Sequence, residues 1–249
     1  MARKFNYKIT ELFYLMTMKY KVLFFVLSAV VFFQLDVTAQ TGKSYKVQPG
    51  QKVTQAIPIE AIYEYPFFEV GTAQFKNGKA GMGKMNYNHL LREIEFINEK
   101  LDTIALDDAG SMHYIEMAKD TFYFDKVYLK QISNKNGVKL TVSKSLQLSN
   151  KQKLGGFGEI NGGSVEAKDQ VSSYANMLKT LVAQEILTFT EFKSYYFGDR
   201  FNHFKQASRK NVLDMFGKLK PGLEKYLDDN HLNYYDEADI NKLAAYLQE

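Results

Sequence analysis

Between residues 71 and 148 apolar side chains recur at alternate positions in short runs, and turn residues separate the runs. The stretch 71–76 ends at Asn77-Gly78, a pair that tolerates positive φ and is the strongest short hairpin signal; the return strand is expected over 80–87. Over 91–97, Ile94 and Phe96 fall on one face and Glu93 and Glu95 on the other, which predicts a solvated acidic face. Strands are expected at 103–106, 112–117, 121–124 and 127–132. Asn134-Lys135-Asn136-Gly137 predicts a further tight turn, and 138–148 sets Leu140 and Val142 against Lys139, Thr141 and Ser143. The short links leave no room for crossover helices, so the pattern predicts an antiparallel meander curled into a sandwich or small barrel.

The flanks follow other patterns. Residues 40–58 are polar and irregular, and an ordered or semi-ordered N-terminal arm is expected there. The aromatic cluster Tyr63, Tyr65, Phe67 and Phe68 surrounds Pro66, which restricts this stretch to an edge or an extended lead-in. Gly155-Gly156-Phe157-Gly158 and Gly162-Gly163-Ser164 sit in polar surroundings, so 154–173 is expected to be a linker. Beyond it the period becomes helical: Met177, Leu178, Leu181, Val182 and Ile186 make one stripe, predicting a helix over 173–187. A small hairpin is expected around Gly198-Asp199. Ser208 then caps a helix with Val212, Leu213 and Phe216 inward, stopped by Gly217. Pro221 opens the next helix, carrying Leu223, Tyr226 and Leu227. Asp236 and Asp239 open the last, where Ile240, Leu243, Ala244 and Leu247 align. The expected class is α+β: an antiparallel β domain over 40–153, the linker over 154–173, and a small, mostly helical C-terminal region over 174–249.

The first 39 residues have the signature of a secretory signal peptide. Lys19 and Lys21 precede the apolar run 22–33, and Val37-Thr38-Ala39 supplies the small-x-small site that signal peptidase accepts. That run is shorter than the ~20 apolar residues a membrane-spanning helix needs. Both Met1 and Met18 are possible starts, and Met18-Lys19-Tyr20-Lys21 is the more compact charged region. Cleavage is expected before Gln40. No Cys follows the site, which excludes a lipid-anchored product, and the expected address is periplasmic or extracellular with no transmembrane segment in the mature chain. Five of the 32 basic and two of the 28 acidic residues precede Gln40, leaving 27 against 26 and a net charge of +1. Such a chain has no electrostatic footprint for nucleic acid. With no Cys there are no disulfides either, and stability rests on packing, for which 19 Phe and 17 Tyr supply material.

Several segments carry a resemblance. Gly71-Thr72-Ala73-Gln74-Phe75-Lys76-Asn77-Gly78-Lys79, Met85-Asn86-Tyr87-Asn88 and Asp102-Thr103-Ile104-Ala105-Leu106 in the front half are three of them. Tyr195-Tyr196-Phe197, Ala207-Ser208-Arg209-Lys210-Asn211-Val212-Leu213, Leu223-Glu224-Lys225-Tyr226-Leu227 and Asp239-Ile240-Asn241-Lys242-Leu243 are the rest. Together they resemble a group of uncharacterised exported bacterial proteins. The resemblance implies export and a β-plus-helical build, and it implies no activity.

Motifs for chemistry are sparse. Gly156-Phe157-Gly158 lacks the Lys-Ser/Thr pair of a phosphate loop, and Gly162-Gly163-Ser164 is no nucleophile elbow. The four His residues, at 89, 113, 203 and 231, are scattered; only folding could unite His89 and His113 on neighbouring strands. Asp107-Asp108 and Asp228-Asp229-Asn230 lack the alternation of a calcium loop. The expectation is therefore a non-enzymatic envelope or secreted protein that binds or scaffolds, with no cofactor and no metal. Its partner would be a protein or envelope component, and Tyr63, Tyr65, Phe67 and Phe68 are the candidate partner-facing aromatics. The alternative is a hydrolase whose site is assembled from dispersed Asp, Glu and His residues.

Overall fold

Asn77-Gly78 and Asn136-Gly137 reverse the chain as their composition predicts. Gly78 has φ +82°, and Asn136 and Gly137 have φ +52° and +80°, all left-handed values that suit tight hairpins. The computed structural model describes residues 42–106, 108–154, 160–164 and 177–249. Among them twelve strands form one antiparallel sheet. They are β1 (Ser44–Val47), β2 (Glu69–Phe75), β3 (Ala80–Asn88), β4 (Glu93–Ile97), β5 (Thr103–Ala105) and β6 (Met112–Met117). The remainder are β7 (Asp120–Asp125), β8 (Val127–Lys135), β9 (Val138–Leu154), β10 (Ile160–Ser164), β11 (Ile186–Gly198) and β12 (Phe204–Gln206).

The spatial order is β1-β11-β9-β8-β7-β6-β2-β3-β4-β5, with β10 beside β9 and β12 beside β11. Two meanders, β2 to β5 and β6 to β9, are joined by a return that brings β6 back beside β2, as in a Greek key. The sheet then curls on itself. β9 pairs with β8 through Val142 and with β10 from Asn150, and in the gap between them the Leu146 amide donates to the His89 carbonyl at 2.9 Å. The Tyr87 hydroxyl donates to the Lys144 carbonyl at 2.9 Å alongside. The turn after β3 therefore closes onto the middle of β9.

Three large apolar clusters fill this frame, and a fourth, smaller one joins Tyr123, Leu129 and Phe204. Ala73, Met85, Tyr87, Ile94, Ile115, Met117 and Phe122 pack inside the curl. Val47, Val53, Ile62, Leu90, Leu178, Leu187 and Phe189 pack where β1 and β11 meet two helical turns, Val53–Ala56 and Ile59–Ile62. The third cluster joins Leu140, Val142, Tyr195 and Phe197 to helices α1 (Arg209–Phe216), α2 (Leu223–Asn230) and α3 (Glu237–Gln248). The Ser208 side chain accepts from the Asn211 amide, and Asp236 accepts from the amides of Ala238 and Asp239, the two expected N-caps. Asp239 does not complete a capping box; its carboxylate accepts instead from the Asn233 amide at 2.9 Å. Gln248 secures the end of α3, donating to the Ser133 hydroxyl (2.9 Å) and the Val138 carbonyl (3.0 Å).

Four local expectations are corrected. The expected arm contains the edge strand β1, and Val47, Val53 and Ile57 are buried, because this segment covers the apolar face of β11. The helix expected over 173–187 has one described turn at 177–180, and Ile186 and Leu187 belong to β11. Its periodic stripe lies next to Thr188, Phe189, Thr190 and Phe192, whose β-branched and aromatic side chains suit a pleated surface and draw the preceding residues into the ladder. Within the expected linker, residues 160–164 form β10 against β9; positions 155–159 and 165–173 lie outside the described residues, as do the expected signal peptide and its cleavage site. The second helix starts at Leu223 rather than at Pro221, since Gly222 at φ +85° is its N-cap. Consequently the C-terminal stretch contributes β11, a strand lying between β9 and β1, before α1 to α3 begin.

Candidate functional site

Pro66 has no amide to donate to a ladder, and the chain from Tyr63 to Phe67 is a bent strap laid along β3. Tyr63 makes an isolated bridge to Asn88, and the Glu64 amide donates to the Tyr87 carbonyl at 3.0 Å. Asn86, buried to 1% exposure, completes the attachment. Its side chain accepts from the Tyr65 amide (3.1 Å) and donates to the carbonyls of Tyr65 (2.8 Å) and Phe67 (3.2 Å).

Three consecutive side chains of the strap end in polar clusters. Tyr63 donates to Glu95 Oε2 at 2.9 Å, beside a second donor, Asn88 Nδ2, also at 2.9 Å. Tyr65 donates to Asp120 Oδ2 at 2.6 Å. Burial first, and then the facing carboxylates, push both phenols well above the ordinary tyrosine range. Between them Glu64, with a side chain 7% exposed, meets His89 Nε2 at 3.2 Å, Lys130 Nζ at 2.8 Å and Lys144 Nζ at 3.1 Å. Lys130 also bridges to Asp120 at 2.6 Å. Burial alone would raise the Glu64 carboxyl. The hydrogen bonds from His89 and Lys130 and the charges of both lysines outweigh it and hold the group far below the usual carboxylate range. Lys130 feels the converse: burial opposes its charge, but Asp120 and Glu64 hold it above the ordinary lysine value.

Above Glu64 and His89 lies a half-open cleft of about 210 Å³. Glu60 and Ala61 come to it from the helical turn before the strap, Lys144 from β9, and Glu191 and Lys193 from β11. The His89 imidazole stands edge-on to Tyr87 with ring centroids 5.1 Å apart, and its Nδ1 is buried without a hydrogen-bond partner. Glu64, engaged by three cationic or imidazole donors, is a poor base, and the second ring nitrogen of His89 makes no hydrogen bond.

The expected partner-facing aromatics divide. Phe67 is 77% exposed, whereas Tyr63, Tyr65 and Phe68 are half-buried; Tyr63 packs on Phe68 with centroids 5.6 Å apart. The expected solvated face of β4 is corrected. Glu95 is 2% exposed, because Tyr63, Asn88 and Lys179 cover it, and Lys179 reaches Glu93 at 3.1 Å and Glu95 at 3.3 Å. Burial raises the Glu93 carboxyl, with Lys179 opposing. His89 and His113 are not united: His89 serves Glu64, and His113 is exposed on β6 beside the Tyr114 ring. Among the described residues no group of three or more His, Cys, Asp or Glu side chains is arranged to hold a metal.

Glu64, Lys130, Lys144 and Asp120 escaped sequence reasoning because they share no motif or spacing. The one available signal was a lone acid between two tyrosines beside a proline. Compared with known proteins, the chain matches no family model, no curated protein and no solved structure.

Proposed function

We propose that the protein is a non-enzymatic binding or scaffolding protein, exported by residues 1–39, whose functional surface is the cleft above Glu64 and His89. The observation that carries the reading is the saturation of Glu64. A carboxylate held ionised by His89, Lys130 and Lys144 stabilises the floor of a site and is itself a poor general base. The apolar run 22–33 and the Val37-Thr38-Ala39 site support export, with a mature chain beginning at Gln40 and working in the periplasm or outside the cell. Among the described residues no helix is long and apolar enough to cross a membrane.

The test has two arms. N-terminal sequencing of protein recovered from outside the cytoplasm should begin at Gln40; a chain retaining 22–33 would overturn the address. Purified protein incubated with cell-envelope extract should retain a small molecule in native mass spectrometry, and Glu60→Lys at the rim of the cleft should release it. The same protein should turn over no ester, amide or glycoside in a chromogenic panel. Turnover abolished by both His89→Ala and Glu64→Gln would replace this reading with the hydrolase alternative, which the 3.2 Å contact between His89 and Glu64 favours.

A further inference from the structure

We infer that Asn77 is a site of spontaneous covalent modification, deamidating by attack of the Gly78 amide, while the fold holds Asn136 against the same reaction. Both residues precede a glycine and both pairs close hairpins, so sequence alone does not separate them.

The chemistry needs only water. The Gly78 backbone nitrogen loses its proton and bonds to Asn77 Cγ, the Cγ–Nδ2 bond breaks, and ammonia leaves. The succinimide so formed takes up one water at either carbonyl, giving aspartate or isoaspartate at position 77. A glycine in the following position favours the step, because no side chain obstructs the attacking nitrogen.

Asn77 is exposed, and its side-chain oxygen accepts from the Lys79 amide at 3.0 Å. That donor steadies the negative charge that gathers on the oxygen as the nitrogen attacks. The leaving nitrogen, Nδ2, has no hydrogen-bond partner among the described residues. Nothing stands within 4 Å of where a Gly78 side chain would begin, so the tip has room to turn its nitrogen towards Cγ. Ring closure must break one backbone bond, from the Gly78 amide to the Phe75 carbonyl at 3.0 Å. The other bonds at the tip, from Gln74 Nε2 to the carbonyls of Gly78 and Lys79, are exposed and long at 3.3 and 3.2 Å.

Asn136 is tied at the leaving group itself. Its Nδ2 donates to the Gln248 carbonyl at 2.7 Å, and the Gln248 side chain is fixed in turn on the Ser133 hydroxyl and the Val138 carbonyl. Gly137 also lies close to Arg200, whose Cβ would be 3.4 Å from a side-chain carbon at that position. The tip of β8 and β9 is thus held by the end of α3, whereas the bonds of Asn77 and Gly78 stay within their own hairpin. A hydrogen bond that must be given up before the ring closes slows the step about tenfold, the equivalent of ~1.4 kcal/mol.

The product alters the hairpin and spares the strap. It places a carboxylate at the tip of β2 and β3 and, in isoaspartate, routes the chain through the side-chain carbon. Asn86, which holds the strap, pairs with Glu95 towards the far end of β3.

The whole protein, kept for days in mildly alkaline buffer and then cleaved after its glutamates, tests this by mass spectrometry. Asn77 falls in the peptide 70–93 and Asn136 in the peptide 117–159, and fragment ions locate the change. In urea the two residues should deamidate at similar rates; in the folded protein Asn77 should react at least about tenfold faster than Asn136. Gln248→Ala, which loosens the end of α3, should speed Asn136 and leave Asn77 unchanged. Folded Asn136 reacting as fast as Asn77 would overturn the inference, as would an Asn77 that stays intact while the urea sample reacts. An Asn136 rate unmoved by Gln248→Ala would overturn the protection by α3.

Discussion

Glu64 and Glu95 are two buried carboxylates with three partners each, and they are linked through neighbouring residues of one strap. Tyr63 reaches Glu95, and the next side chain, Glu64, reaches His89, Lys130 and Lys144. The two clusters lie on different faces of β3 and β4. Asn86 and Glu95 are directly paired, and Asn88 shares their face, while Tyr87 and Ile94 point into the core. Their partners differ in kind. Oε2 of Glu95 is satisfied by two neutral dipoles, Tyr63 and Asn88, with one lysine on the other oxygen. Glu64 is met by two lysines and an imidazole from three separate places: the turn after β3, β8 and β9. Those are the places that must meet for the sheet to curl. The difference teaches that Glu64 closes the frame, while Glu95 attaches the strap to it.

The strongest way to break the comparison is Glu64→Gln. Removing one member of a buried ionic cluster leaves its partners uncompensated, and a loss of about 3–5 kcal/mol in urea unfolding at pH 7 is expected. The pH dependence follows from the lowered carboxyl. A group whose folded pKa is depressed contributes fully above its unfolded value, about 4.3 for Glu, and loses that contribution as pH falls towards the folded one. The gap between wild type and variant should therefore be constant from pH 7 to 5 and narrow from pH 5 to 3. A gap independent of pH would show that Glu64 acts by packing rather than by charge.

Smaller effects are expected on the other face. Tyr63→Phe deletes one hydrogen bond to Glu95 and leaves Asn88 and Lys179 in place, so a loss of about 1–2 kcal/mol is expected. Because Glu95 is attached to the strap and not to the closure, a double-mutant cycle of Tyr63→Phe with Glu64→Gln should give a coupling below about 0.5 kcal/mol. A larger coupling would mean that the strap moves as one unit and that the two carboxylates do not have separate roles.

These roles could not be anticipated from spacing, though much of the frame could. Turns at Asn77-Gly78 and Asn136-Gly137 and caps at Ser208 and Asp236 are local, each decided by two to four adjacent residues, and they form as expected. β1 and the first residues of β11 were misjudged because their state is decided at long range: Ser44 pairs with Thr190, 146 positions away. The alternation in 93–97 placed Glu95 opposite Ile94 correctly, but alternation reports only that two faces differ. It could not reveal that Tyr63 and Lys179, from distant segments, would cover the acidic one. The Glu64 cluster combines residues 64, 89, 130 and 144, and nothing local in the sequence brings them together.

The smallest effect is expected at a third buried charge, and with the opposite sign. Lys139 on β9 is 6% exposed, yet its ammonium bonds the carbonyl of Asp199 at 2.8 Å and lies 5.9 Å from the centre of the Tyr123 ring. It has no equivalent of the carboxylate that Lys130 and Lys144 share. Burial depresses its pKa, and the Asp199 charge only partly opposes this. An ammonium desolvated for one carbonyl bond and one ring face returns little of its hydration energy, so Lys139→Met should be neutral or stabilising by about 1 kcal/mol. For a lysine whose folded pKa is depressed, folding favours the neutral form. Any advantage of the methionine should therefore be largest at pH 7 and shrink as pH rises towards 10. Thermal melts at the two pH values decide it. A loss above about 2 kcal/mol at pH 7 would show that Lys139 belongs with Lys130 and Lys144 as a structural cation, and that the contrast between carbonyl-bound and carboxylate-bound lysines does not hold in this sheet.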